Sequence, residues 1–292
     1  MKISIVSDEI SADFETAIEL GTAWGVTDFE LRGYGSQRVP LFSGFQKQRL
    51  QELLEEYHAR VVAISPGLFK IPYPSKKRER FPLQVIDSKL YQDWHDARSL
   101  VDYHLHELLP ASFEYAKEIG AEVIIIFSFQ RGSCPAGPAP DEILESLHWA
   151  AQCAEKSGLQ LAIEVEDQFW ADTGERTAQI IRSINLPALG VNWDPGNAIV
   201  AGDIPYPDGY KPVREYIRHV HFKDVVRLPG GGYRYDVKGE IDWSGQIHSL
   251  AAGRYDGYIS VEPHMQPKVA SAKALYQRLR DLIAAVPDGS PE

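Results

Sequence analysis

Eight times along this chain a short β-branched run gives way to a segment of helical period, and this alternation constrains the fold more than any other feature. The runs are KISIV, TDFELRG, RVVAISPG, AEVIIIFSF, LQLAIEVED, ALGVNWD, HVHFKD and YISVEPH. Helical segments stand between them, among them DFETAIELGTAWG, which stops at Gly25, FQKQRLQELLEEYH, KPVREYIR, and DEILESLHWAAQCAEKSG with Asp141 as its expected N-cap. A strand that returns to the same sheet end through a crossover helix runs parallel to its predecessor, so the whole sheet is expected to be parallel. An open doubly wound sheet would carry a glycine-rich phosphate loop after its first strand, and SDEISADF has no glycine. The expectation is an α/β fold, a single (β/α)8 barrel domain over residues 1–292. A loop insertion is expected at about 66–94, where PGLFKIPYPSKKRERFPLQVIDSKLYQDW resists assignment, and a C-terminal helix at about 270–286.

Charge and composition narrow the partners. With 30 basic against 41 acidic residues the chain carries a net charge of −11, and no Lys/Arg run stands out beyond the short cluster KKRER, which argues against nucleic acid. No apolar run is long enough for a membrane span, and the apolar start of MKISIVSDEIS is too short for a secretory signal, so a soluble, cytoplasmic protein with no membrane partner is expected. Cys134 and Cys153 show no metal or redox spacing and are expected to be incidental thiols. Oligomeric state is left open, a homo-oligomer included.

Barrel enzymes work at the C-terminal ends of their strands, and here those ends are strongly polar. They carry Ser7, Asp8 and Glu9; Glu30 and Arg32; Glu164 and Glu166; Asp194; His219, His221, Lys223 and Asp224; and Glu262 with His264. Alternate strand residues face the interior, so His219, His221 and Lys223 share one face while Val220 and Phe222 take the helix-facing one. A bare group of carboxylates near the barrel axis would repel itself, and a divalent cation would resolve that repulsion. Glu164, Asp194, His221 and Glu262 can converge on one ion, an oxygen-rich set that suits Mn2+ or Mg2+ and also admits Zn2+ or Co2+. His219, deeper on its strand, is expected to be a satisfied interior histidine. Glu166 and His264 either touch substrate or sit on a solvated rim. His104 and His106 fall in a helical context, where positions i and i+2 diverge, and are expected to be structural.

At SDEIS, FELRG, LAIEVE with DTGERTAQII, VNWDPGNA, HVHFKD, KGEIDW and YISVEPH the sequence resembles the xylose-isomerase-like TIM-barrel superfamily, in particular its sugar phosphate isomerase/epimerase branch. The likeness runs over nearly the whole chain. It implies a metal-dependent isomerase or epimerase of a small sugar or sugar derivative, working through an enediolate. It also implies one metal on Glu164, Asp194, His221 and Glu262, with Glu164 and Glu262 doubling as the acid/base pair; Glu166 is the alternative to Glu164. Glu30, Arg32, Glu166, Asn197, Lys223 and His264 are then the expected substrate contacts, with Arg32 and Lys223 as anchors. No second full ligand set is visible.

The chain departs from ketose-type epimerases, which often place a histidine three residues after the metal aspartate, where this sequence has Asn197. An amide orients a hydroxyl but exchanges no proton at neutral pH. A dehydratase of a cyclic polyol or keto acid on the same site is the alternative, and a non-catalytic sugar-binding barrel a third reading. The stretches 66–94 and 203–213 are expected as lids, and GGG at 230–232 as a flexible turn.

Overall fold

The computed structural model describes residues 1–73 and 97–286. Eight strands close a barrel: β1 Lys2–Val6, β2 Asp28–Leu31, β3 Arg60–Leu68, β4 Val123–Ile126, β5 Gln160–Glu164, β6 Leu189–Trp193, β7 Ile217–Phe222 and β8 Tyr258–Val261. Every strand pairs in parallel with its sequence neighbour, and β8 closes on β1 with Lys2 opposite Tyr258 and Ile5 opposite Val261. Around it stand α1 Phe14–Ala23, α2 Gly44–Glu56, α3 Leu109–Ile119, α4 Asp141–Ser157, α5 Gly174–Ile184, α6 Pro195–Val200, α7 Trp243–Ala252 and α8 Lys268–Ala284. The (β/α)8 expectation holds. No helix among the described residues is long and apolar enough to cross a membrane.

Several local expectations are corrected. Asp141 is the first residue of α4, not its cap; the N-cap is Pro140, and Asp141 instead meets the positive helix end through its charge. The helix expected over 211–218 is only Tyr210–Val213, because Ile217 and Arg218 already belong to β7. β3 continues through a bulge into the stretch expected as an insertion, ending at Leu68 opposite Ile126. The rest of that insertion, from residue 74 to 94, and residues 287–292 lie outside the described residues. GGG at 230–232 turns an antiparallel hairpin of Val225–Arg227 with Tyr233–Tyr235, and Gly231 and Gly232 supply the positive φ it needs. Both cysteines are free.

The barrel interior differs from the usual filling of branched aliphatics. Ser4, Glu30, Asn192, His219 and Ser260 are all buried there, with the Ser4 and Ser260 hydroxyls 2.6 Å apart. Two small serines leave room for imidazoles from β7. The apolar core lies outside, where Phe222 packs on Trp243 with ring centroids 4.4 Å apart.

His104 sits in a π-helical stretch, His104–Leu108, that leads into α3. It is fully buried, and its Nδ1 accepts the N–H of Phe69 at 2.9 Å, a residue held at φ 61° just past β3. That bond requires an unprotonated Nδ1, and burial holds the His104 pKa down at about 3 against an ordinary 6.5. The folded-state value lies below the unfolded one. Its contribution to stability is therefore whole above about pH 6.5 and is lost as pH falls from there towards 3. A His104→Asn protein, which keeps an acceptor but cannot titrate, should lose stability less steeply over that window in urea unfolding. An unchanged slope would exclude His104 as a source of acid sensitivity.

Candidate metal and catalytic centre

Four strand ends deliver Glu164, Asp194, His221 and Glu262 to one point, where one ligand atom from each lies within 4.8 Å of all the others. All four are buried. Asp194 ends β6 and caps α6, its Oδ1 accepting the N–H of Asn197 at 2.8 Å, which turns Oδ2 towards the barrel axis. Nδ1 of His221 faces Glu262 Oε2 at 3.2 Å and Glu164 Oε1 and Asp194 Oδ2 at 3.6 Å each. It makes no hydrogen bond of normal geometry to any of them, although it is sealed from solvent. A buried nitrogen directed at three carboxylates without a bonding partner fits a metal ligand, and the donor set fits a divalent cation.

Glu30 was expected against substrate and lies instead beneath this centre, fully buried. Its Oε2 is 3.0 Å from Nε2 of both His221 and His219, and His219 also reaches Ser260 Oγ at 2.8 Å. Burial pushes the Glu30 carboxyl up, but His221 and His219 hold it well below the usual carboxylate range. A charged Glu30 accepts from Nε2 of His221 and so leaves Nδ1, on the side of the carboxylates, as the nitrogen a metal would take. Glu30→Gln should weaken divalent-metal affinity about 10- to 100-fold with the fold intact. Calorimetric titration with Mn2+ checks this, and an unaltered affinity would dismiss the orienting role.

Arg32 and Lys223, expected as substrate anchors, are engaged within the protein. Arg32 Nη1 meets Glu262 at 2.7 Å, Nη2 meets Glu9 at 2.5 Å and Nε meets Asp8 at 3.0 Å. Lys223 is buried, with Nζ 2.6 Å from Asp194 Oδ2 and 2.8 Å from Glu262 Oε2. The backbone of α6 passes so close that a Cβ at Gly196 would lie 2.7 Å from Lys223 Cγ.

Asn197 joins two carboxylates, its Nδ2 donating to Glu164 Oε1 at 3.2 Å and to Glu166 Oε2 at 3.3 Å. Lys70 Nζ holds the same Glu166 oxygen at 3.2 Å. His264, at φ 51°, lies between Glu9 at 3.0 Å and Glu262 at 3.3 Å. Burial pushes the Glu166 carboxyl up, with Lys70 opposing, whereas His221 holds Glu164 below its ordinary value despite burial. Burial likewise raises Glu262, but His264, Lys223 and His221 bring it well below. Burial lowers His264, and Glu262 and Glu9 overcome this to place it at about 9.

Four participants were not singled out from the sequence as site residues. Glu9 and Asp8 stand at the end of β1 and were noted only as polar. Lys70 lies just past β3 in the stretch taken as loop. Tyr235 comes from the hairpin after β7, where its ring sits 5.2 Å from that of His264. The alternation in YRYD after GGG was the available signal for that hairpin.

A closed parallel barrel with a carboxylate and imidazole centre at its C-terminal end defines a class of small-molecule enzyme folds. Residues 18–283 match the xylose isomerase-like TIM barrel family, and the chain belongs to it. It is 21% identical over 286 residues to an inosose dehydratase of Lactiplantibacillus plantarum, covering 87% of this chain and 92% of that protein. A D-allulose 3-epimerase from Methylomonas sp., solved with D-allulose, superposes with a TM-score of 0.69 at 13% identity over 96% of both chains. A xylose isomerase-like barrel from Mycobacterium smegmatis, solved with magnesium, superposes with a TM-score of 0.66 at 16% identity, over 94% of this chain and 89% of that one. Among these proteins the named activities are of two reaction types, a dehydratase and a 3-epimerase.

Proposed function

We propose that this chain is a divalent-metal-dependent enzyme that moves a proton α to the carbonyl of a small sugar or sugar derivative, giving an isomer or epimer. The observation that carries this reading is the unpartnered Nδ1 of His221 among Glu164, Asp194 and Glu262. These four are the proposed metal-holding set, with Mn2+ or Mg2+ favoured by the three carboxylates. Such an ion, when bound, supplies positive charge beside the oxyanion that develops as the α-proton leaves. Glu262 and Glu164 are the proposed acid/base pair, since both reach the same point from different strands, so that one can take the proton the substrate loses while the other, protonated, returns one.

A second reading, loss of water from a cyclic polyol ketone, has two observations in its favour. Asn197 stands where a proton-exchanging histidine would serve a ketose epimerase, and a third carboxyl, Glu166, lies next to Glu164 with its pKa raised by burial. The inosose dehydratase relative points the same way.

One experiment separates the two. The Mn2+-loaded protein is incubated in D2O with a keto-cyclitol and, separately, with ketohexoses, then followed by mass spectrometry and NMR. Deuterium uptake α to the carbonyl without mass loss supports the isomerase or epimerase, and a product lighter by one water supports the dehydratase. Neither change, with metal bound and sugar binding detected, would leave a non-catalytic binder and overturn both.

A further inference from the structure

The two oxygens of Glu262 face different neighbours. Oε2 lies 3.2 Å from His221 Nδ1 and 2.8 Å from Lys223 Nζ, on the side of the metal-holding set. Oε1 lies 2.7 Å from Arg32 Nη1 and 3.3 Å from His264 Nε2. On that second side Glu9, Glu262 and His264 also bring ligand atoms within 4.8 Å of one another, and both carboxylates are buried. A second ligand set, unseen in the sequence, therefore shares Glu262 with the first.

The cation on this side belongs to the protein. Arg32 spends each of its three nitrogens on a different carboxylate: Nε on Asp8 at 3.0 and 3.1 Å, Nη1 on Glu262 and Nη2 on Glu9. A guanidinium stays charged at any working pH and offers its donors in a rigid planar fork. That fork fixes Oε1 in place, and with it the direction of Oε2. A lysine would bring equal charge as a single mobile point and could not hold three carboxylates in one plane.

We propose that Arg32 is a positioning residue that restricts Glu262 to metal ligation through one oxygen and keeps the centre to a single divalent ion. The inference rests on the metal reading above. It follows that removing the fork would free Oε1 and leave Asp8, Glu9, Glu262 and His264 as an oxygen-rich set with one imidazole, a donor combination that would suit a second Mn2+.

The test is titration of wild-type, Arg32→Gln and Arg32→Lys proteins with Mn2+, read by calorimetry for stoichiometry and by electron paramagnetic resonance for coupling between ions. Wild type is expected to take one ion and remain at one in millimolar Mn2+. Arg32→Gln is expected to take two, with the isolated-ion spectrum broadened by a close neighbour. Arg32→Lys is expected to keep one ion, bound about tenfold more weakly because Glu262 is less well held. A folded Arg32→Gln protein that binds one ion with the wild-type spectrum and affinity overturns the proposal. So does a second ion in wild type, a result that needs no variant to fold. No ion in wild type removes the metal reading itself, and this inference with it, and is distinguishable from both.

Discussion

Metal-free Lys223→Met protein is expected to be less stable than wild type by about 3–5 kcal/mol, and to regain much of that loss in saturating Mn2+. Lys223 is 1% exposed, and its ammonium is the cation nearest the Asp194 and Glu262 oxygens that face the proposed metal position. Methionine preserves the apolar stem packed on Gly196 but leaves those buried carboxylates with less positive charge. Breaking one side of a buried ion pair costs more than the pair is worth, because the remaining charge stays desolvated. A divalent ion supplies the missing charge and binds the native state alone, adding about 4 kcal/mol at a thousandfold excess over Kd. Urea unfolding of both proteins, with Mn2+ and with chelator, measures the difference. An equal deficit under both conditions would mean that Lys223 does not share its carboxylates with a metal.

The second large effect concerns turnover. Glu262→Gln and Glu164→Gln, assayed at saturating metal, are each expected to lower α-proton exchange about 10²- to 10⁴-fold, the usual worth of a general acid or base. Glutamine keeps the size and one carbonyl oxygen of each side chain and removes the proton-accepting charge. Running the assay at saturating Mn2+, with bound metal counted in the same samples, separates lost proton transfer from lost metal. Full exchange by a metal-replete Glu262→Gln protein would assign the base elsewhere, with Glu166, which shares the Asn197 amide with Glu164, the next residue to test.

Much of the centre was legible because period-two alternation is local. In HVHFKD a one-residue step changes which wall of the strand a side chain leaves from, so His219, His221 and Lys223 had to share the interior face. Parallel closure then brings successive strand ends together, and Glu164, Asp194, His221 and Glu262 converge for that reason. The partners of those residues were not legible. Glu30 and Arg32 both looked like substrate contacts from β2, yet Glu30 lies under two imidazoles and Arg32 is held by carboxylates from β1 and β8. Alternation says which face a side chain leaves from, and nothing about how far a long side chain reaches once there.

Loops set the other limit. Lys70 follows a bulged strand end, and Tyr235 reaches the site from a hairpin whose base is tied by Asp224, which accepts the N–H groups of Val225 and Ile241 and pairs with Arg278 at 2.7 Å. No spacing in the chain encodes that path.

The sequence by itself determined the eight alternating units, the parallel barrel and the residues at its strand ends, because helical and strand periodicity and crossover geometry are properties of short segments. Only the tertiary structure decided which charges neutralise one another: Lys223 with Asp194 and Glu262, Arg32 with Asp8, Glu9 and Glu262, and Glu30 with His219 and His221. Those pairings join residues 189 to 230 positions apart in the case of Glu30 with His219 and Arg32 with Glu262. They exist because burial makes an unpartnered charge too costly, and the closed barrel decides which partner lies within reach.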